Sequence, residues 1–226
     1  MPVTLIAEDL LLLLLDDESG KPQTNQLQVA LGGAVLVELA LVEAVVVEER
    51  SSMWHAARVR VAPAAETDDP VLGDALALVA EKDRSAQELV ERLGRGLAEK
   101  LGTRLVDRGL LERREDKLLG IIPRTRWPAR DAGHEEHVRR GLTAILVEGA
   151  EPEPRTGALV ALLHAVDRAH KTVPHEGISN GDVRKRAKVI AEGDWAAKAV
   201  RDAIQASTAA MVAVVAATGA ATAAGS

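Results

Sequence analysis

Two stretches near the start of the chain are apolar on almost every helical face. Residues 5–16 contain six consecutive leucines, and residues 27–42 are interrupted mainly by Gly32, Gly33 and Glu38. A segment that is apolar all round is typical of a helix enclosed by other helices. The pattern therefore predicts two buried helices, the second of them at the centre of the molecule.

Amphipathic helices are predicted downstream. Asp69 and Pro70 supply an acidic cap and a first-turn proline for a helix over 70–82, and Ser85 with Glu88 forms a capping-box pattern. Leucines 93, 97, 101 and 105 then recur every four residues, which predicts one continuous helix up to Gly109. Further helices are predicted over 135–148, 155–170, 182–191 and 194–217.

Short β-branched or charged runs predict two hairpins. The first pairs residues 45–48 with 58–61, and the second pairs 110–115 with 117–122 around a charged turn at 113–116. Neither an internal repeat nor a long linker divides the chain. We predict a mainly α, single-domain helical bundle over residues 1–226, with a central apolar helix, a protruding β-hairpin and a frayed tail from about 218.

Composition narrows the function classes. The 226 residues include no Cys, Phe or Tyr, so disulfides, thiolate metal sites and cysteine nucleophiles are excluded, and the core must be aliphatic. The leucine run is too short to span a bilayer. The charge-free segment 203–226 is long enough but mostly Ala, Thr and Gly, which favours the end of a core helix.

The titratable clusters do not form a complete catalytic set. His134 and His137 could share a metal, but a second ligand-bearing motif is missing. Glu38 lies within an apolar helix, and we expect it to pair with a core arginine. We predict neither an enzyme nor a bound cofactor or metal.

The charge is polarised along the chain. Residues 84–140 carry 14 Lys and Arg against 10 Asp and Glu, whereas the whole chain has a net charge of −6. Within 117–130 there is no acid, and basic residues alternate with apolar ones: Leu118, Leu119, Ile121, Ile122 and Trp127. This combination predicts a hairpin that inserts these five side chains into a membrane interface. The alternative, in which they face the core of the protein, fits the composition equally well.

A second interpretation of the same segment is a winged-helix DNA-binding unit. Arg104 and Arg108 would lie on its helix, and Arg113, Arg114 and Lys117 on its wing. The long apolar helix over 27–42 argues against it, because such small domains need less core. Nucleic acid is accordingly not an expected partner.

Several segments together resemble one known family. They are the leucine run with Glu8 and Asp9 before it and Asp16 and Asp17 after it, the LGGAVLVELAL segment at 31–41, and residues 97–110, 118–127, 158–164 and 212–217. In order and spacing, these are similar to the Golgi phosphoprotein 3 family. Twenty Arg against eight Lys, with abundant Ala and Gly, is typical of a GC-rich bacterial genome, and we expect a bacterial, actinobacterial member.

The resemblance implies a helical domain with a four-helix core and no catalysis. It also implies an apolar hairpin that dips into the membrane beside a basic pocket for phosphatidylinositol 4-phosphate. Its implied location is cytoplasmic and peripherally membrane-associated. The implied partners are an anionic phospholipid surface, cytoplasmic tails of membrane proteins as cargo, and further copies of the chain.

The family's pocket is carried over only in part. Its tryptophan falls near Gln23, its first arginine near Gly32, and its two later basic positions at Arg95 and Ala98. One of the four groups is retained. We expect Arg92, Arg95, Arg124 and Arg126 to bind lipid phosphate, with a general preference for anionic lipid rather than for one headgroup.

Overall fold

The computed structural model describes residues 4–48, 58–63, 65–118, 121–193 and 198–223. Within them, α-helices predominate and two small antiparallel sheets complete the fold, so the mainly α prediction is confirmed. The helices are α1 (Ile6–Leu14), α2 (Leu27–Leu41), α3 (Pro70–Glu81), α4 (Ala86–Leu93), α5 (Leu97–Asp107), α6 (Gly133–Leu146), α7 (Pro154–Ala165), α8 (Ala169–Thr172), α9 (Asn180–Ala191) and α10 (Lys198–Ala223). The strands are β1 (Val45–Glu48), β2 (Arg58–Val61), β3 (Arg84–Ser85), β4 (Arg114–Leu118) and β5 (Ile122–Arg126).

Helix α2 lies at the centre, in contact with α1, α4, α7 and α10. Its glycines allow this close packing, because a Cβ at Gly32 would lie 2.0 Å from the Val90 carbonyl oxygen on α4. On another face, a Cβ at Gly33 would lie 2.7 Å from the sulfur of Met211 on α10. Small residues at these two positions bring the helix axes together, as the predicted central helix requires.

Buried ion pairs fix the start of α1 against α2 and α7. Arg155 on α7 donates to Glu38 Oε1 from Nη1 at 2.9 Å and pairs with Asp9 Oδ2 through Nη2 at 3.2 Å. The other Glu38 oxygen accepts a hydrogen bond from the backbone N–H of Ile6. The expected pairing of Glu38 with a core arginine is therefore confirmed, and the arginine is Arg155.

The continuous helix predicted up to Gly109 is wrong. The chain leaves the helix after Leu93 and starts a new one at Leu97, with Gly96 in the left-handed region at φ 68°. Leu97, Leu101 and Leu105 are buried and Leu93 is half-buried against the same core, so the stripe continues across a bend. The Gly94-Arg95-Gly96 sequence explains the break, because glycine disfavours helix interiors and permits positive φ.

The sequence pattern predicted the first hairpin more accurately than the second. β1 and β2 pair as predicted, with Val45 opposite Val61, and β3 adds a third strand. In the second hairpin the predicted strand bounds are wrong, since the charged residues 114–117 form β4 and pair with β5. Arg114 lies opposite Arg126 and Leu118 opposite Ile122, so the charged cluster lies within a strand rather than in the turn.

The last predicted helices also shift. The helix predicted over 155–170 is two helices, α7 and α8, separated by Asp167 at φ 52°. Helix α10 packs against α2, α4 and α7 and continues to Ala223, through most of the stretch for which fraying was predicted. Among the helices of the described ranges, none combines the length and the hydropathy that crossing a bilayer requires.

Candidate functional site

The base of the β4–β5 hairpin is fixed to the core by Trp127. Its ring is 6% exposed and packs on Gly102 of α5, where a Cβ would lie 2.7 Å from ring atom Cε2. Its backbone N–H donates to the Gly20 carbonyl at 3.2 Å, and the Arg113 guanidinium lies 5.6 Å from the ring centroid. The predicted insertion of Trp127 into a membrane is therefore wrong, because the side chain is part of the core.

The end of the same hairpin has a different character. Ile121 is 81% exposed, the highest value among the large apolar side chains of the described residues, and Leu118 pairs with Ile122 across the last rung of the ladder. Leu119 lies outside the described residues. Membrane insertion of Leu118, Leu119, Ile121 and Ile122 stays a prediction, and Ile121 has the exposure that it needs.

The two hairpin arginines have different surroundings. Arg126 is mostly buried and pairs with Asp116 at 2.7 Å, whereas the half-buried Arg124 has no ion pair among the residues described. Arg126 is therefore partly neutralised by its own hairpin, and Arg124 is the freer cation.

Arg92 and Arg95 line a hollow of about 320 Å³ between α3, α4 and the start of α5. Arg92 is held by Glu88, with Nε 3.0 Å from Oε1, while exposed Arg95 has no ion-pair partner in the described ranges. Lys100 also lines the hollow and pairs with Asp74, and Glu81 adds a second acid. Arg95 is thus the residue best placed to meet an added anion.

The start of α5 strengthens this position. Its N-cap, Gly96, provides no side chain to accept from the first-turn N–H groups, and Arg95 directly precedes it. An uncapped helix N-terminus carries a partial positive charge and free N–H donors, which suit phosphate oxygens. Arg124 and Arg126 are not among the residues that line this hollow, so the predicted set forms two groups.

The other positions of the family pocket have structural roles here. Gln23 accepts from Arg168 and donates to the Leu15 carbonyl at 3.0 Å, and Gly32 is closed off by the backbone of α4. Ala98 lies on α5 beside the hollow's edge. A pocket built from side chains at 23 and 32 is therefore closed in this chain.

Four of the five basic residues of the DNA-binding alternative are engaged within the protein, and the side chain of the fifth, Lys117, lies outside the described part of the structure. Arg104 and Arg108 both bind the buried Glu8, at 3.0 and 3.1 Å, and Arg113 pairs with Glu99 at 3.1 Å. Arg114 pairs with Glu112 at 2.9 Å. A guanidinium that is already paired with a carboxylate neutralises few DNA phosphates, so few counterions are released on binding. These contacts therefore disfavour duplex binding through this helix and hairpin.

The His and carboxylate candidates do not form a metal site in the described part of the chain. His134 Nε2 lies 2.8 Å from Asp9 Oδ1, and Glu38 binds Arg155. Burial raises the pKa of Glu38, although the Arg155 charge opposes this shift. These groups form a linked network rather than an acid and base facing a reacting centre.

Sequence reasoning missed two features of the site. The hollow depends on the break at Gly94-Arg95-Gly96, and this Gly-x-Gly element within the leucine stripe was a usable signal. The burial of Trp127 has a weaker signal, because its partner Gly102 is 25 residues away in sequence and only the fold brings the two together.

Comparison with known proteins agrees with the resemblance seen in the sequence. No curated protein matches the chain. The family model described as Golgi phosphoprotein 3 (GPP34) matches residues 6–207, which include every helix from α1 to α9, most of the first half of α10, and both hairpins. The chain therefore belongs to the Golgi phosphoprotein 3 family.

Proposed function

We propose that this protein is a non-enzymatic peripheral membrane protein that binds anionic phospholipid. The observation that carries the proposal is the exposure of Ile121 at the end of a hairpin whose base is fixed in the core. A large apolar side chain held away from the core is costly in water and favourable in the acyl boundary of a bilayer. Family membership supports the same role.

The lipid phosphate would be bound at the hollow next to α5. Arg95 and the first-turn backbone of α5 supply the donors, and Arg92 adds positive charge at the same hollow. Only one position of the family pocket is kept, and position 32 cannot accept a side chain without movement of α4. The proposed specificity is therefore for anionic lipid in general, with phosphatidylinositol 4-phosphate as one member. Cargo tails, self-association and a cytoplasmic location follow from the family and belong to the same proposal.

Co-sedimentation with vesicles tests the hairpin. The vesicles contain about 30% phosphatidylserine as the anionic lipid. Binding to them should fall at least about tenfold for Ile121→Asp, because a charge opposes insertion by roughly 2 kcal/mol or more. Val42→Asp is the matched control. Val42 is also an exposed, branched apolar residue, but it lies at the end of α2 rather than in the hairpin. Equal binding of the two variants would overturn the hairpin's role.

The hollow is tested by charge reversal in the same assay. Arg95→Glu should weaken binding to anionic vesicles by about thirtyfold, because it removes a cation and adds an anion near the lipid surface at roughly 1 kcal/mol per charge. Lys185→Glu makes the same change of charge on exposed α9 and should have a smaller effect. Vesicles with and without phosphatidylinositol 4-phosphate at equal total charge separate general from headgroup-specific binding. Similar losses in both variants would mean that net charge alone governs binding and would contradict a site at Arg95.

A further inference from the structure

The hollow next to α5 contains a further cation besides Arg92 and Arg95. Lys100, at the end of the first turn of α5, lines the hollow, whereas Ala98, which stands at a basic position of the family, is not part of the lining. Residues two apart on a helix point about 200° apart, so positions 98 and 100 face different surroundings. A cation at position 100 can therefore act on the same anion as Arg95.

The floor of this hollow is apolar and its rim is charged. Four apolar residues of the lining are buried: Val35, Val71, Ala75 and Leu97. The charged residues of the lining are exposed or half-buried: Asp74, Glu81, Arg92, Arg95 and Lys100. An apolar floor lowers the local dielectric constant, so charges on the rim interact more strongly than charges in bulk water. The affinity for an anion in the hollow therefore depends on the acids of the rim as well as on its cations.

The two acids of the rim are held differently. Glu81 binds Arg84 at 2.7 Å, and the Arg84 side chain is 3% exposed and also donates to the Leu78 carbonyl, so the cation of this pair is fixed in the protein. Asp74 on α3 instead binds Lys100 on α5, with Oδ2 2.5 Å from Nζ, and these side chains are 78% and 44% exposed. Exposed ion pairs between flexible side chains contribute little to stability. The Asp74–Lys100 pair can therefore open without disturbing the helices.

We infer that Lys100 is a phosphate-binding residue of this hollow and that Asp74 competes with the phosphate for it. A phosphate that reaches Arg95 also meets the ammonium of Lys100, which has three donors, and the like charge of the phosphate displaces the Asp74 carboxylate toward solvent. The inference rests on the proposed function, because it assigns the phosphate to an anionic lipid. Lys100 thereby supplies the cation that position 98 lacks, and Asp74 lowers the affinity of the site.

Two substitutions with opposite effects test this competition. In co-sedimentation with the phosphatidylserine vesicles, Asp74→Asn should strengthen binding and Lys100→Gln should weaken it, each by about fivefold relative to its control, at roughly 1 kcal/mol for a basic residue near an anionic surface. The controls, Asp167→Asn and Lys185→Gln, make the same changes of charge outside the hollow. Asp167 is matched to Asp74, because it is also exposed and also paired with a cation, Arg184, at 2.8 Å.

The double variant shows whether Asp74 acts through Lys100. With Lys100→Gln in place, Asp74→Asn should strengthen binding no more than Asp167→Asn does, because no ammonium is left to release. A purely electrostatic effect of Asp74 on the vesicle surface would be the same in both backgrounds. The competition is wrong if Asp74→Asn keeps its full effect in the double variant, or if Asp74→Asn alone weakens binding.

A soluble phosphate ester separates this inference from the proposed function. Glycerol 3-phosphate, titrated into the isotope-labelled protein and followed by NMR at the Lys100 amide, should bind to the variants in the same order as the vesicles do. If that order holds while no variant binds vesicles, the lipid assignment fails and the competition between Asp74 and phosphate is retained. If Arg95→Glu weakens vesicle binding but Asp74→Asn and Lys100→Gln match their controls, the proposed function is retained and this inference is overturned.

Discussion

Gly32→Ala should lower the free energy of unfolding by about 3 kcal/mol or more, because overpacking this contact forces whole helices apart. The added Cβ would lie 2.0 Å from the Val90 carbonyl oxygen and 2.9 Å from the backbone nitrogen of Gly94. Both are main-chain atoms of α4 or its end, so no side chain can rotate to make space. Urea denaturation followed by circular dichroism measures the change.

Gly73→Ala is the matched control for this prediction. Gly73 also lies within a helix, α3, but nothing comes within 4 Å of its Cβ position. Alanine should therefore stabilise the protein by about 0.5–1 kcal/mol through its helix propensity. If Gly32→Ala were as stable as the wild type, the close approach of α2 and α4 would be wrong. The same contact predicts that arginine at position 32 would unfold the chain rather than rebuild the family's lipid pocket.

Arg155→Met should cost about 3 kcal/mol of stability. The substitution leaves Asp9 and Glu38 buried without the guanidinium that both bind, and breaking a buried ion pair from one side costs roughly 3–5 kcal/mol. We take the lower end because the Arg155 side chain is about one third exposed and water screens part of the loss. Arg58→Met, which breaks an exposed pair with Asp83, should change stability by at most about 0.5 kcal/mol.

The pH dependence provides a second check on Arg155. Burial raises the pKa of Glu38 in the folded protein, so this carboxyl destabilises the fold as pH rises from the ordinary glutamate range through the raised value. Arg155 opposes that effect only while Glu38 is ionised. The deficit of Arg155→Met should therefore be largest near neutral pH and shrink toward pH 4, at about the unperturbed glutamate pKa. Addition of Glu38→Gln should restore part of the lost stability at neutral pH. A deficit independent of pH and unaffected by Glu38→Gln would contradict this account.

Local pattern predicted much of the fold. The two apolar helices, the first hairpin and the Asp69 cap were read correctly because each depends on residues within one or two turns. The predictions from sequence failed where contacts between residues distant in the chain determine the structure. The charged residues 114–117 lie in β4, where Asp116 pairs with Arg126 of β5 at 2.7 Å.

The candidate site was predictable to a similar degree. Arg95 and Ile121 were identified by charge and hydropathy and are exposed, as the proposal requires. Tryptophan is a residue type common in membrane anchors, but the position of Trp127 is determined by its packing on Gly102. Sequence periodicity does not reveal that contact. Arg155 was unpredictable for the same reason, since it lies 117 residues from Glu38.

The burial of Trp127 separates the hairpin into two parts with different tolerance to change. Gly20, Gly102 and Arg113 hold Trp127 at the base, whereas Ile121 at the opposite end is 81% exposed. We therefore expect the helices to tolerate polar substitutions at Ile121, because its side chain is not part of the core.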